Sequence, residues 1–210
     1  MSAPSAPPAP RPPPRVHSAA GHLRATAVVL VLAVLVAGVA YPLVVTGIAE
    51  LLVPGTANGS LVHGPNGTLV GSSLIAQNLS APYLFWARPS LTDYNTTLGA
   101  GTVPGPSDPA LRSLLNETLS YMRLYGNLSV NATVPFDWAA PSASSLDPDL
   151  VPEAVLVQVP RVAAATNLSI AFLQGFVNAH IVNPLIPYLG VPYVNVLSLD
   201  LALLPLIGKA

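Results

Sequence analysis

Residues 25–49 read ATAVVLVLAVLVAGVAYPLVVTGIA, a run without a charged side chain. As a helix it is about 37 Å long at about 1.5 Å per residue, more than the ~30 Å hydrocarbon core of a bilayer, so it spans with some tilt. Inside lipid every backbone N–H needs an internal partner, which a single segment achieves only as a helix. Pro42 removes one of those bonds and predicts a kink near the outer end. Tyr41 falls where amphipathic rings favour the interface. A cleaved signal peptide is the competing reading, with Gly38-Val39-Ala40 as a small-residue cleavage site. Its apolar region would be about 7–15 residues, shorter than this run, so the uncleaved anchor is preferred.

On the amino side, residues 1–24 are rich in Pro, Ala and Ser, with Arg11, Arg15, Arg24 and no acid. Such a tail buries too little apolar surface to fold. Pro12-Pro13-Pro14 favours an extended backbone without internal hydrogen bonds. A disordered tail is the first reading, a ligand for an SH3-type groove the second. Three arginines ahead of the span put this tail in the cytoplasm by the positive-inside rule. The organisation expected is therefore 1–24 as a disordered Pro-rich cytoplasmic tail, 25–49 as the transmembrane helix and 50–210 as an extracytoplasmic domain.

Charge is scarce on the carboxyl side too. Only 8% of all residues are Asp, Glu, Lys or Arg, while 51% are hydrophobic, so a folded core is within reach but a nucleic-acid partner is not. No cysteine is present, which removes disulfides, thiolate metal sites and cysteine nucleophiles. Scarce charge also fits an acidic exterior, where a basic surface would repel itself. Eight of eleven asparagines lie in Asn-x-Ser/Thr sequons, namely Asn58, Asn66, Asn78, Asn95, Asn116, Asn127, Asn131 and Asn167. All follow the span, and chance predicts roughly one or two, so N-glycosylation of an outer domain is expected.

Local signals divide this domain into mixed elements. Asn58 to Val70, with Gly64-Pro65-Asn66-Gly67 at its centre, reads as a β-hairpin. Residues 91–106 read as a loop. Asp108-Pro109 opens a helix, Leu111, Leu115, Leu119 and Met122 keep its period, and Gly126 ends it in a left-handed conformation. Val134 to Trp138 reads as a short strand. A second helix covers about 152–166, bent at Pro160, with Gln158 and Arg161 on one face. Asn167 breaks it and Ser169 caps the next, with Leu168 stapled onto Leu173. Tyr193 to Leu197 reads as a strand and Leu199 to Leu204 as a short helix. Without a clean βαβ repeat, the fold class is α+β.

Catalytic patterns are missing. The single lysine is Lys209, so no P-loop exists, and His17, His22, His63 and His180 have no metal-ligand spacing. The nearest acids, Asp147 and Asp149, read as turn and cap residues, and there is no Gly-x-Ser-x-Gly. Two functions fit the residues alone: an accessory subunit of a membrane complex, or a surface-anchored binding or adhesion module.

Ordered short motifs run through residues 39–204. They include Tyr41-Pro42-Leu43, Ala57 to Leu61, Gly71 to Asn78, Arg88-Pro89-Ser90, Tyr94-Asn95 and Ser107-Asp108-Pro109. Ser142 to Pro148, Gln158 to Ala163, Asn167-Leu168-Ser169, Val194 to Leu197 and Leu201-Ala202-Leu203 follow. This set resembles KdpC, the small subunit of the Kdp potassium-transporting P-type ATPase. Departures are Ala76 and Ala87 in place of glycines, an altered loop at Leu98 to Val103 and an altered Ala140 to Ser144. The resemblance implies a non-catalytic subunit without a directly bound cofactor, with ATP and potassium handled at the level of the complex. It implies three partners: a channel-like potassium-translocating subunit, an ATP-hydrolysing P-type subunit and a small stabilising peptide. Such subunits are described as raising the ATP affinity of the pump, but an outer domain is on the wrong side for ATP, so assembly and gating at the outer potassium entrance are preferred. Gln77, Asn78, Arg88, Gln158 and Arg161 are the expected subunit-contact residues. The alternative for Gln158 and Arg161 is that they satisfy buried backbone groups. A subunit-facing or buried Asn78 would carry no glycan.

Overall fold

A computed structural model describes residues 19–64, 66–98, 103–129 and 131–209. The tail expected at 1–24 falls outside them up to residue 18, as does most of the altered loop at Leu98 to Val103. The chain divides into two units, Met1–Ala57 and Asn58–Ala210.

The first unit is helical from Ala19, six residues ahead of the expected boundary. Helix α1 (Ala19–Ala33) runs into a π-helical stretch, Val34–Ala40, and then α2 (Tyr41–Leu52). Ala19–Leu52 is long and apolar enough to cross a membrane; its most apolar 18-residue window has a mean hydropathy of 2.8 and none of it is buried. Pro42 sits at the start of α2. A proline clashes with the carbonyl four residues back, here that of Gly38, and the wider turn just before it gives the ring room. The helix thus absorbs Pro42 in a π turn. A short turn, α3 (Pro54–Ala57), ends the unit.

The second unit opens with the expected hairpin. Strands β1 (Leu61–His63) and β2 (Leu69–Ser72) pair antiparallel, Leu61 opposite Ser72, with an irregularity between Val62 and His63. Gly67 supplies the positive φ (76°) that the turn requires. Helix α4 (Pro109–Tyr125) starts as its sequence dictates: Asp108 accepts from the Ala110 N–H and Pro109 fills the first turn. Its end differs from expectation. Gly126 has φ −86°, and the left-handed residue is Asn127 at 50°. Glycine is needed at 126 because a Cβ would press on the Met122 carbonyl and the Trp86 ring.

Three further elements depart from the sequence reading. The strand expected at 134–138 is a helical turn, α5 (Phe136–Ala139), whose Trp138 is buried. The bent helix at 152–166 is two helices, α6 (Pro152–Leu156) and α7 (Val159–Thr166), with Gln158 between them and Pro160 in the first turn of α7. The strand expected at 193–197 is only two residues, β4 (Val194–Asn195), paired antiparallel with β3 (Asp149–Leu150). Asn195 then caps α9 (Val196–Leu203) by accepting from Ser198 N–H, so the helix begins three residues before the expected Leu199. Asn167, left-handed at φ 60°, ends α7, and Ser169 caps α8 (Ile170–Ala179), both as expected. Among the described residues, helices and two small antiparallel sheets make a mixed α and β unit. Its core is Phe85, Trp138, Leu150, Val155, Val159, Val162, Leu173, Val177, Leu199 and Leu203.

Candidate functional site

Residues 76–90 have little regular structure, yet Phe85, Trp86 and Ala87 are buried in the core. Buried peptide groups need partners, and here side chains from other elements supply them. Gln158 does so twice. Its Oε1 accepts from the Trp86 N–H (2.8 Å) and its Nε2 donates to the Trp86 carbonyl (3.1 Å), as a neighbouring strand would. Nε2 also donates to Ala154 O at 3.1 Å.

Arg161 lies one turn further along α7. Its Nη1 donates to the carbonyls of Pro82 (2.7 Å) and Leu84 (2.8 Å), and its Nη2 to Gln158 Oε1 (2.7 Å). The guanidinium stacks on the Trp86 ring, 4.1 Å from its centre. From α9, Asp200 Oδ1 accepts from the Phe85 N–H at 2.8 Å. Gln158, Arg161 and Asp200 are 1%, 5% and 2% exposed, so the segment from Pro82 to Trp86 is held entirely from within the unit.

Burial shapes the charges of this cluster. It pulls Arg161 down to about 10, partly offset by the Asp200 charge. It pushes Asp200 well above the ordinary carboxylate range, against the lowering effects of the Phe85 N–H and Arg161. Asp200 Oδ2 and Arg161 Nε have no hydrogen-bond partner, which penalises a charged carboxylate more than a neutral carboxyl.

Arg88 ends the segment in a separate cluster. Its Nη1 pairs with Asp137 Oδ1 (2.8 Å) and Asp147 Oδ2 (3.3 Å), while Nε and Nη2 donate to the carbonyls of Ala140 and Pro141. Its own carbonyl accepts from the Tyr94 hydroxyl (2.8 Å), and burial, followed by the charges of Tyr121 and Asp93, raises Tyr94 to about 12. At the start of the segment, the half-buried Gln77 lays its amide against Gly71, where any Cβ would collide with it.

Of the five expected contact residues, then, only Gln158 and Arg161 come together. Arg88, Gln77 and Asn78 lie elsewhere along the same segment. Asn78 is exposed, so burial does not bar it from carrying a glycan. It stands on the rim of a cleft of about 400 Å³ between the segment and α4, lined by Trp86, Tyr94, Tyr121, Met122 and Trp138. The other seven sequon asparagines are exposed as well. Two residues of the central cluster escaped the sequence reading, Trp86 and Asp200. Asp200 had a signal: it is the one acid after Glu153, set in the apolar stretch VLSLDLAL. No group of three acidic or histidine side chains able to hold a metal occurs among the described residues.

Among the described residues, one helix is long and apolar enough to cross a membrane, and a mixed α and β unit follows it in the chain. The family profile of KdpC, described as "K+-transporting ATPase, c chain", matches residues 23–204. Among similar proteins, the potassium-transporting ATPase KdpC subunit of Geobacter sulfurreducens is 40% identical over 184 residues, covering 86% of this chain and 96% of its own. That of Methanosphaerula palustris is 41% identical over 181 residues, covering 86% and 95%. That of Variovorax paradoxus is 45% identical over 171 residues, covering 79% and 86%. The chain belongs to the KdpC family.

Proposed function

We propose that this chain is the non-catalytic c subunit of an ATP-driven potassium pump. The helix Ala19–Leu52 anchors it, with the amino terminus in the cytoplasm and the second unit outside. There it braces the channel-like potassium-translocating subunit and the ATP-hydrolysing subunit, together with a small stabilising peptide, and works by assembly and gating at the outer potassium entrance. ATP and potassium act at the level of the complex.

The observation that carries this reading is the profile match along residues 23–204, supported by relatives aligned over nearly their full length. Arg11 and Arg15 in the sequence before this helix, and Arg24 in its amino-terminal part ahead of the uncharged run 25–49, support the orientation. The division of labour within the site follows from burial. Gln158 and Arg161, buried and bonded only to groups of the unit itself, position the 82–86 segment and do not touch a partner. Asn78 and the aromatic cleft beside it, with Gln77 and Arg88 at the two ends of the segment, form the contact face.

Co-purification tests the proposal. A tagged chain co-expressed with the channel-like and ATP-hydrolysing subunits is expected to retain both after detergent extraction, and to restore potassium uptake in cells lacking their own c chain. A chain that retains neither subunit and restores no uptake would refute it.

A further inference from the structure

We propose that the second unit is N-glycosylated at Asn58, Asn66, Asn95, Asn116, Asn127, Asn131 and Asn167, which rests on the outward placement proposed above. The donor class is an oligosaccharide linked through its anomeric carbon to a membrane polyprenyl phosphate or pyrophosphate. In the transfer, the asparagine Nδ2 forms a bond to that carbon and gives up one proton. The bond from the carbon to the lipid phosphate oxygen breaks, and the lipid phosphate leaves with the electron pair.

Three observations support the assignment. Sequons take eight of the eleven asparagines, and every one of those eight side chains is exposed. Of the three asparagines outside sequons, Asn195 has its Nδ2 tied to Ser73 O and Asp149 Oδ1 at 2.9 Å each, while Asn178 and Asn183 are exposed like the sequon residues. Two loop sequons, those of Asn66 and Asn95, also have acceptor-ready geometry, whereas Ser129 and Ser169 of the Asn127 and Asn167 sequons accept from the Asn131 and Phe172 N–H groups. Asn66 Oδ1 accepts from Thr68 Oγ1 at 2.7 Å and from Thr68 N at 3.3 Å. Asn95 Oδ1 accepts from Thr97 Oγ1 at 2.8 Å and from Thr97 N at 2.9 Å. In both, the sequon hydroxyl engages the amide oxygen and not the nitrogen that receives the sugar.

Glycans also answer a physical need. With 8% charged residues the surface has little of the charge that keeps proteins apart in solution, while Leu185, Tyr188 and Leu189 are 99%, 89% and 79% exposed. Sugar hydroxyls hydrate such a surface without net charge and independently of pH. The sites are not equivalent. Asn66 and Asn95 are reachable in the folded unit, whereas Asn116 lies within α4 and is reachable only before that helix forms. Asn78 is left bare because its cleft belongs to the contact face.

The test is glycopeptide mass spectrometry of the full chain purified from membranes of its native host, with intact cells first treated with a membrane-impermeant amine reagent. Lys209, the single lysine, is exposed and reports which side the unit faces. The expected result is Lys209 labelled from outside, sugar on Asn66 and Asn95 in nearly every molecule, and a total mass above 21.6 kDa. The variants Asn66→Gln and Asn95→Gln would each remove one glycan increment. Bare asparagines at all seven sequons with Lys209 labelled would overturn the glycosylation alone. Lys209 protected in intact cells would overturn the outward placement and the glycosylation with it. Sugar on Asn78 would overturn its assignment to the contact face.

Discussion

Replacing Gln158 by alanine should unfold the second unit well before the first. The side chain is fully buried and makes four hydrogen bonds: two with the Trp86 peptide, one with Ala154 O and one with Arg161. Truncation orphans the Trp86 N–H and C=O, at about 1–3 kcal/mol each, and removes a charged hydrogen bond of about 1.5–3 kcal/mol from Arg161. Water entering the new cavity recovers part of this, leaving a loss of about 3–6 kcal/mol against a typical domain stability of about 5–15 kcal/mol. In a unit of this size that lowers the melting temperature by roughly 10–20 °C. The assay is a thermal melt of the purified full chain in detergent, followed by tryptophan fluorescence, because the two tryptophans, Trp86 and Trp138, are both buried in this unit. Hydrogen exchange at the Trp86 amide should accelerate in parallel. A shift below about 2 °C with Trp86 still protected would refute the argument that Gln158 acts as a substitute strand for this segment.

Three further outcomes follow from the same geometry. Arg161→Lys keeps the charge but cannot reach Pro82 O, Leu84 O and Gln158 together while stacking on Trp86, so a denaturant melt should show a loss of about 2–4 kcal/mol; under 1 kcal/mol would contradict it. Asp200 has a folded pKa above its unfolded value of about 3.9, so its contribution is complete below that pH and fades as pH rises through the folded value. Asp200→Asn keeps an acceptor for Phe85 N–H, so it should match the parent in acid and exceed it in stability at pH 7, while a variant weaker at pH 7 would reverse the sign. Arg88→Ala should cost about 2 kcal/mol because two carbonyls lose their donor, whereas Asp147→Asn should cost under about 1 kcal/mol, its carboxylate being 3.3 Å away and 36% exposed; urea titrations of both variants would expose equal losses as a contradiction.

Features set within a few residues were legible from the chain alone. The apolar run, the Asp108-Pro109 start of α4, the Asn167 break, the Ser169 cap and the hairpin turn each rest on one or two side chains acting on their own backbone. The ordered motifs also identified the family. What failed was local structure overruled from a distance. Val134 to Trp138 has strand-like residues, but it coils into α5 and buries Trp138. In Tyr193 to Leu197, Tyr193 bridges to Val182 and Val194–Asn195 pair with β3 before Asn195 turns the chain into a helix.

The central cluster shows the same division. Gln158 and Arg161 could be placed on one helix face from their spacing, because that spacing is a property of the helix. That they face inward, and that Asp200 from the other end of the unit completes the grip, was decided by the tertiary structure. The segment around Trp86 has no strand beside it, so its buried N–H and C=O groups had to find partners wherever the fold brought polar side chains near, across 72 residues for Gln158 and 115 for Asp200. Sequence determined which residues could bond, and only packing determined to what.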